Sequence, residues 1–214
     1  MALKGFVTVS GVNNLSDARY CSGMGVNLMG FGIDPTDEQN FTAPERFHAI
    51  VGWLSGVEFV GEFNQSTDPD YISEQASQYQ ISYLQVRYGT PLPSLANWKD
   101  QLILHIDLND LRNVDQLGSI LEENKHHCKF FLVSCFHNET SLGTPNLKKI
   151  TKLAEKYPVI LGFGITRNNV HLLIEDTPIA GIGLRGGNEI RPGYKDFDEL
   201  ANILEAIEID EAID

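Results

Sequence analysis

At 214 residues, with 42% hydrophobic and 21% charged residues, the chain has the length and composition of one well-filled globular core. A formal charge of −13 disfavours nucleic acid and anionic membrane as partners, because both need a cationic face to displace counterions. No apolar run approaches the roughly 18 residues that span a bilayer, and the opening MALKGFVTVSG enters a strand pattern with no signal-peptide layout, so a cytoplasmic location is expected.

Short β-branched runs alternate with helical patterns from end to end. The predicted order is strand Phe6–Ser10, helix Leu15–Met24, strand Asn27–Phe31, helix Pro44–Leu54, strand Glu58–Phe63, helix Pro69–Gln78, strand Tyr83–Arg87 and a short helix Leu95–Lys99. It continues with strand Leu102–Ile106, helix Val114–Asn124, strand Phe130–Ser134, helix Asn146–Lys156, strand Val159–Phe163, helix Asn168–Glu175, strand Gly181–Leu184 and helix Phe197–Glu208. Strict βα alternation favours a parallel sheet, and eight repeats favour its closure into a (βα)8 TIM barrel. No linker or repeat interrupts the series, so residues 1–214 are expected to form a single domain, with Glu205–Asp214 as a frayed acidic tail. Thr42 with Glu45 fits a capping box, Asp68 precedes Pro69 at a first helical position, and Asn146 is placed to cap its own helix.

Two strand ends near the C-terminus carry glycines. PVILGFGITRNNV (Pro158 to Val170) and IAGIGLRGGNEIRPGYKD (Ile179 to Asp196) each read as an apolar run, then glycines, then a helix start, a layout in which backbone N–H groups can close around a phosphate. Gly164, Ile165, Gly186 and Gly187 are the expected backbone contacts, and Arg185 can add a charge-assisted one. Arg167, near the start of the following helix, is a second cation for that purpose. Arg185 has an alternative use as a structural ion-pair partner of Glu189 or Glu62.

In order along the chain, further segments resemble one known family. Val7 to Ala18, VTVSGVNNLSDA, is similar to the pattern V-K-I-C-G-I-T-N-L-E-D-A of the phosphoribosylanthranilate isomerase family, and Met24 to Phe31, MGVNLMGF, follows its A-G-A-D-x-x-G-F. Val60, Gly61, Phe63 and Asn64 resemble V-G-V-F-V-N, Leu84–Gln85–Val86 resembles V-Q-L-H-G, and LGFGITRNNV resembles L-A-G-G-L-T-P-E-N-V. Gly181 to Asp196 ends in the family's Pro192, Gly193, Lys195 and Asp196 unaltered. The resemblance implies a (βα)8 barrel that binds a phosphorylated sugar derivative and carries out an Amadori rearrangement, without cofactor or metal, as a monomer or homodimer.

The resemblance also marks what has been exchanged. The family's general base, a cysteine ending the first strand, corresponds to Ser10, and its general acid, an aspartate ending the sixth, corresponds to Ser134, with Cys135 in that place if the register slips by one. A serine hydroxyl titrates far above a thiol's roughly 8.5 and cannot accept the substrate proton unaided. Asn40 stands where an arginine is expected to hold the anthranilate carboxylate, and Gln85 is the other position expected to touch substrate. The implied activity is therefore weak, altered or lost. The alternatives are a non-catalytic phosphate-ligand binding protein, or a barrel that acts on a different sugar phosphate through Glu62 or Asp107.

Other ionisable residues fall near predicted strand ends, where barrel active sites form: Glu62, Arg87, His105, Asp107, His137 and Glu189. A desolvated Glu62 would serve as an acid or base near neutrality, or else be a buried partner of Arg87 or Arg185. His126 and His127, before the sixth strand, read as surface residues at the opposite end. Cys21, Cys128 and Cys135 have no paired or metal-ligand spacing, which points to reduced thiols and no metal. The glycines at Gly162 and Gly164 lack a G-x-G-x-x-G fingerprint with an acid downstream, so no nicotinamide cofactor is expected.

Overall fold

Each strand alternates side chains between a central face and a helix-facing one, and that alternation decides where every candidate residue points. The eight parallel strands are β1 (Val7–Ser10), β2 (Leu28–Gly32), β3 (Glu58–Phe63), β4 (Tyr83–Arg87), β5 (Leu102–Asp107), β6 (Phe130–Ser134), β7 (Val159–Gly162) and β8 (Gly181–Arg185). They pair in sequence order, and β8 closes on β1. A computed structural model of the chain describes residues 2–111, 114–135, 144–186, 189–191, 194–195 and 198–209.

Helices α1 (Leu15–Gly23), α2 (Pro44–Val51), α3 (Pro69–Ala76), α4 (Gln116–Asn124), α5 (Thr144–Ala154), α6 (Val170–Asp176) and α7 (Asp198–Ala206) cover the outside. Between β4 and β5 the connection is a 3-10 segment, Leu92–Gln101, longer than the short helix expected there. Phe31, Phe47, Ile72, Phe131, Val159 and Leu204 are buried in the large core cluster of the structure. None of the described helices is long and apolar enough to cross a membrane.

Inside the hoop, Leu28, Val60, Tyr83, Ile103, Leu132 and Ile160 form the floor, with Phe6 and Phe130 against them. Leu132 fills space that glycines leave open: a Cβ at Gly183 would lie 2.7 Å from its Cδ1, and one at Gly162 would lie 3.0 Å away. Leu132→Ala would open a cavity against neighbours that have no side chain with which to collapse into it. The expected loss is about 2–5 kcal/mol in denaturant unfolding, and a loss under about 1 kcal/mol would show that the floor is loosely packed.

Helix starts show where local signals were overridden. Asp68 caps α3 as expected, its Oδ1 accepting from Asp70 N at 3.0 Å ahead of Pro69, and Asn14 caps α1 by accepting from Asp17 N at 3.0 Å. The capping box at Thr42 does not form. Ala43 is the N-cap of α2, Thr42 N donates to Gly32 O at 2.7 Å, and Thr42 Oγ1 is buried without a hydrogen-bond partner. The pull of that backbone bond toward β2 outweighs a side-chain cap. Asn146 lies within α5, which starts at Thr144, and not ahead of it.

Two further differences concern the C-terminal region. The segment after β8 pairs with itself as β9 (Glu189–Arg191) and β10 (Tyr194–Lys195), an antiparallel pair that the strand-helix alternation did not anticipate. The expected fraying from Glu205 does not hold for Glu205–Ile209. Ile207 is fully buried, Leu3 bridges Glu208, and Ile209 N donates to Ala2 O at 2.9 Å, while residues 210–214 lie outside the described residues.

Candidate active site

Two residues above the floor, the inward positions turn polar. Stepping by two from Val60, Tyr83, Ile103, Leu132 and Gly183 leads to Glu62, Gln85, His105, Ser134 and Arg185, and a further step along β4 and β5 leads to Arg87 and Asp107. Most of the residues proposed from sequence therefore share one layer at the C-terminal mouth, where (βα)8 enzymes place their chemistry. A cavity of about 220 Å³ opens there, lined by Asp37, Asn40, Arg87, His105, Asp107 and Arg185 among others.

Below this cavity Glu62 is only 3% exposed. Its Oε2 accepts from Gly11 N at 3.2 Å, the Ser10 side chain acts on the carboxylate and lowers its pKa, and Oε1 has no hydrogen-bond partner. Burial raises its pKa above the ordinary carboxylate value, against the lowering effects of Ser10, Gly11 and the Arg185 charge, and Asp37 adds to the rise. The side chain reaches β1 from β3 because β2 has no side chain in the way. A Cβ at Gly30 would collide with Glu62 Oε1.

Across the mouth, Ser134 Oγ lies 2.7 Å from His105 Nε2, and both residues are buried, at 1% and 8% exposure. Burial lowers the His105 pKa to about 4; Arg185 and Arg87 add to that, while Asp107 and Asp110 oppose it. The ring is neutral at neutral pH. Ser134 thus faces His105, whereas Cys135 is half-buried, with its Sγ 3.8 Å from Asn109 Oδ1 after β5.

Arg87 does not partner Glu62. Its Nη2 meets Asp110 Oδ2 at 3.3 Å and its Nη1 donates to Asn64 O at 3.4 Å, so its charge is largely answered at the rim. Asp107 is also committed, its Oδ1 accepting from Asn109 N at 2.9 Å and from Asn109 Nδ2 at 2.7 Å. Asn40 Nδ2 lies 2.9 Å from both carboxylate oxygens of Asp37. A carboxylate thus sits where the resemblance would have an arginine hold one. Asp34, which sequence reasoning missed, accepts from Thr36, Gln65 and Ser66 and ties the loop after β2 to the loop after β3. The Asp-Pro-Thr run was its signal, since such side chains fold back on the backbone two residues on.

At the glycine-bearing ends, Gly164 takes a left-handed φ of +66°, which a side chain would strain. Asn169 closes the loop, its Nδ2 donating to Gly164 O and its Oδ1 accepting from Thr166 N, both at 2.8 Å. Ile165 is nearly buried between these two positions. Gly186 N donates to Ser10 O at 3.0 Å, so that amide is used within the barrel seam. Arg167 points to Asn202 on α7, at 3.4 Å. Arg185 is exposed at the end of β8 and lines the cavity. Gly187 and His137 lie outside the described residues, as does the side chain of Glu189.

No protein-family model matches the chain. Among curated proteins, the phosphoribosylanthranilate isomerase of Geobacter metallireducens is 25% identical over 92% of this chain and 96% of its own length, and that of Rippkaea orientalis is 22% identical over 92% and 94%. Over nearly its whole length the chain is thus similar to phosphoribosylanthranilate isomerases. Solved phosphoribosylanthranilate isomerases share the fold. The one from Thermotoga maritima superposes with a TM-score of 0.75 at 22% identity over 95% of this chain and 98% of that one. Another, in complex with reduced 1-(o-carboxyphenylamino)-1-deoxyribulose 5-phosphate, gives 0.73 at 21% identity over the same shares. A 3-hexulose-6-phosphate synthase gives 0.64 at 10% identity, a likeness of fold alone.

Proposed function

We propose that this phosphoribosylanthranilate isomerase-like barrel binds a phosphorylated sugar derivative at its C-terminal mouth. On that reading it converts phosphoribosylanthranilate far more slowly than a family enzyme with a thiol and a carboxylate at the positions of Ser10 and Ser134. The observation that carries the ligand class is Arg185. In a chain of charge −13, an exposed cation at the end of β8 lines the cavity together with a second cation, Arg87. An anion is favoured there by a local contact that the field of the whole molecule opposes. On this reading Gly164 and Ile165 after β7 are the backbone contacts, the Gly186 amide being held by Ser10 O, and Gln85 belongs to the inward polar layer.

The chemistry of the opposite half supports slow turnover, because neither Ser10 nor Ser134 titrates near neutrality and each general acid or base is worth on the order of 10²–10⁴ in rate. The reduced carboxyphenylamino-deoxyribulose phosphate that one relative binds is a suitable probe. It should bind and raise the melting temperature by mass action, with inorganic phosphate acting more weakly at the same place. Arg185→Ala should weaken the probe by roughly 10- to 100-fold, the worth of one hydrogen bond to a charged group. Calorimetric titration showing no binding to the native protein, or unchanged affinity in the variant, would overturn the assignment.

A further inference from the structure

Both exchanged positions have an ionisable neighbour. Glu62 leaves β3, passes over Gly30 of β2 and ends on the Gly11 amide just after β1, where the Ser10 side chain acts on its carboxylate. This route requires the glycine. Its Oε1 is buried without a partner, a costly state for a carboxyl that does nothing. On the other side of the mouth, His105 of β5 holds the Ser134 hydroxyl of β6 at 2.7 Å and also lines the cavity.

We infer that Glu62 and His105 carry the proton transfers of this site, Glu62 through the Ser10 hydroxyl and His105 through the Ser134 hydroxyl, acting on a phosphorylated N-glycoside. This rests on the reading of the mouth as a sugar-phosphate site. In the first step the acid form of His105 passes its Nε2 proton through Ser134 to the ring oxygen. The C1′–O bond breaks with its electron pair going to that oxygen, and the nitrogen pair closes C1′=N. Glu62 then takes the C2′ proton through Ser10; the C2′–H pair becomes C1′=C2′, and the C1′=N pair returns to nitrogen. In the last step the protonated Glu62 returns its proton to C1′ while the enol hydroxyl gives its own to His105. The substrate is isomerised, both side chains are restored, and no oxidant or reductant is needed.

The surroundings suit these roles. Burial makes Glu62 a stronger base than an ordinary carboxylate, and the charged groups acting on it are Arg185 and Asp37. His105 feels Asp107, Asp110, Arg185 and Arg87, and its pKa of about 4 makes its acid form strong but scarce. The sign follows: above the Glu62 pKa the carboxylate is already formed, so rising pH only depletes protonated His105, and the rate falls.

The test is single-turnover conversion of phosphoribosylanthranilate by excess protein, followed across pH, beside calorimetric affinity for the reduced carboxyphenylamino-deoxyribulose phosphate. Glu62→Gln and His105→Asn should each slow conversion on the order of 10²-fold, with probe affinity within about threefold of the native protein, since a proton-transfer group need not contribute to ground-state binding. In His105→Asn the decline toward alkaline pH should vanish, which a purely structural role would not produce. If either variant does not fold, Ser10→Ala or Ser134→Ala removes the connecting hydroxyl and should show the same loss. Undiminished conversion in the variants overturns the inference, and so does a native protein that binds the probe yet converts nothing above the uncatalysed background. A native protein that fails to bind the probe at all overturns the sugar-phosphate reading, and the inference with it.

Discussion

Replacing Ser10 with cysteine and Ser134 with aspartate together should raise conversion of phosphoribosylanthranilate on the order of 10²-fold over the native chain. The two positions point into the mouth from β1 and β6, so the backbone already aims both replacements at the same space. A thiol titrates near 8.5, several units below an alcohol, and has an appreciable thiolate fraction near neutrality. The Arg185 charge that acts on both Glu62 and His105 would also favour the thiolate. At Ser134 a carboxyl would stand beside a neutral imidazole in a buried setting, which holds its pKa high enough to donate a proton. Each single replacement should give much less than the pair, because ring opening and C2′ deprotonation are sequential. A correctly folded double variant no faster than the native protein would show that these two positions do not limit the rate.

Gly30→Ala is expected to drive Glu62 out of its buried position and to destabilise the barrel. The new Cβ would overlap Glu62 Oε1, and both residues are buried, so the carboxyl has to leave its contacts with Ser10 and Gly11. Overpacking of this kind costs about 1–3 kcal/mol, and an unpaired buried carboxyl adds to it. Thermal unfolding of the variant should show the loss. The decisive comparison is the double variant Gly30→Ala with Glu62→Ala, in which the colliding oxygens are gone. It should recover stability relative to Gly30→Ala alone, giving a coupling of about 1 kcal/mol or more in a double-mutant cycle. Additive losses would mean that Gly30 and Glu62 do not compete for the same space.

The hoop was legible because its signals are local. Runs such as VTVS, EFVGEF and FFLVS read as strands, and β3, β4 and β6 begin and end where the pattern places them. Alternation then sent Glu62, Arg87, Ser134 and Arg185 to the same face without knowledge of any contact. Hydrogen-bond partners across the hoop were not legible in the same way. Nothing near Glu62 in sequence says that it will cross β2, since the permission is given by Gly30, thirty-two positions earlier. His105 and Ser134 are separated by 29 residues, and only the register of β5 on β6 brings them together. Thr42 shows the opposite failure, a correct local motif overruled by one backbone bond to Gly32.

The contacts of Leu3 with Glu208 and of Ile209 with Ala2 tie the two described ends of the chain together at the foot, beneath β1 and away from the cavity. Taken with the β8 to β1 pairing, they brace the segment after α7 against the entry to β1 at the seam where the barrel closes. This brace therefore bears on how firmly the barrel is closed, at the end opposite the one that faces the solute.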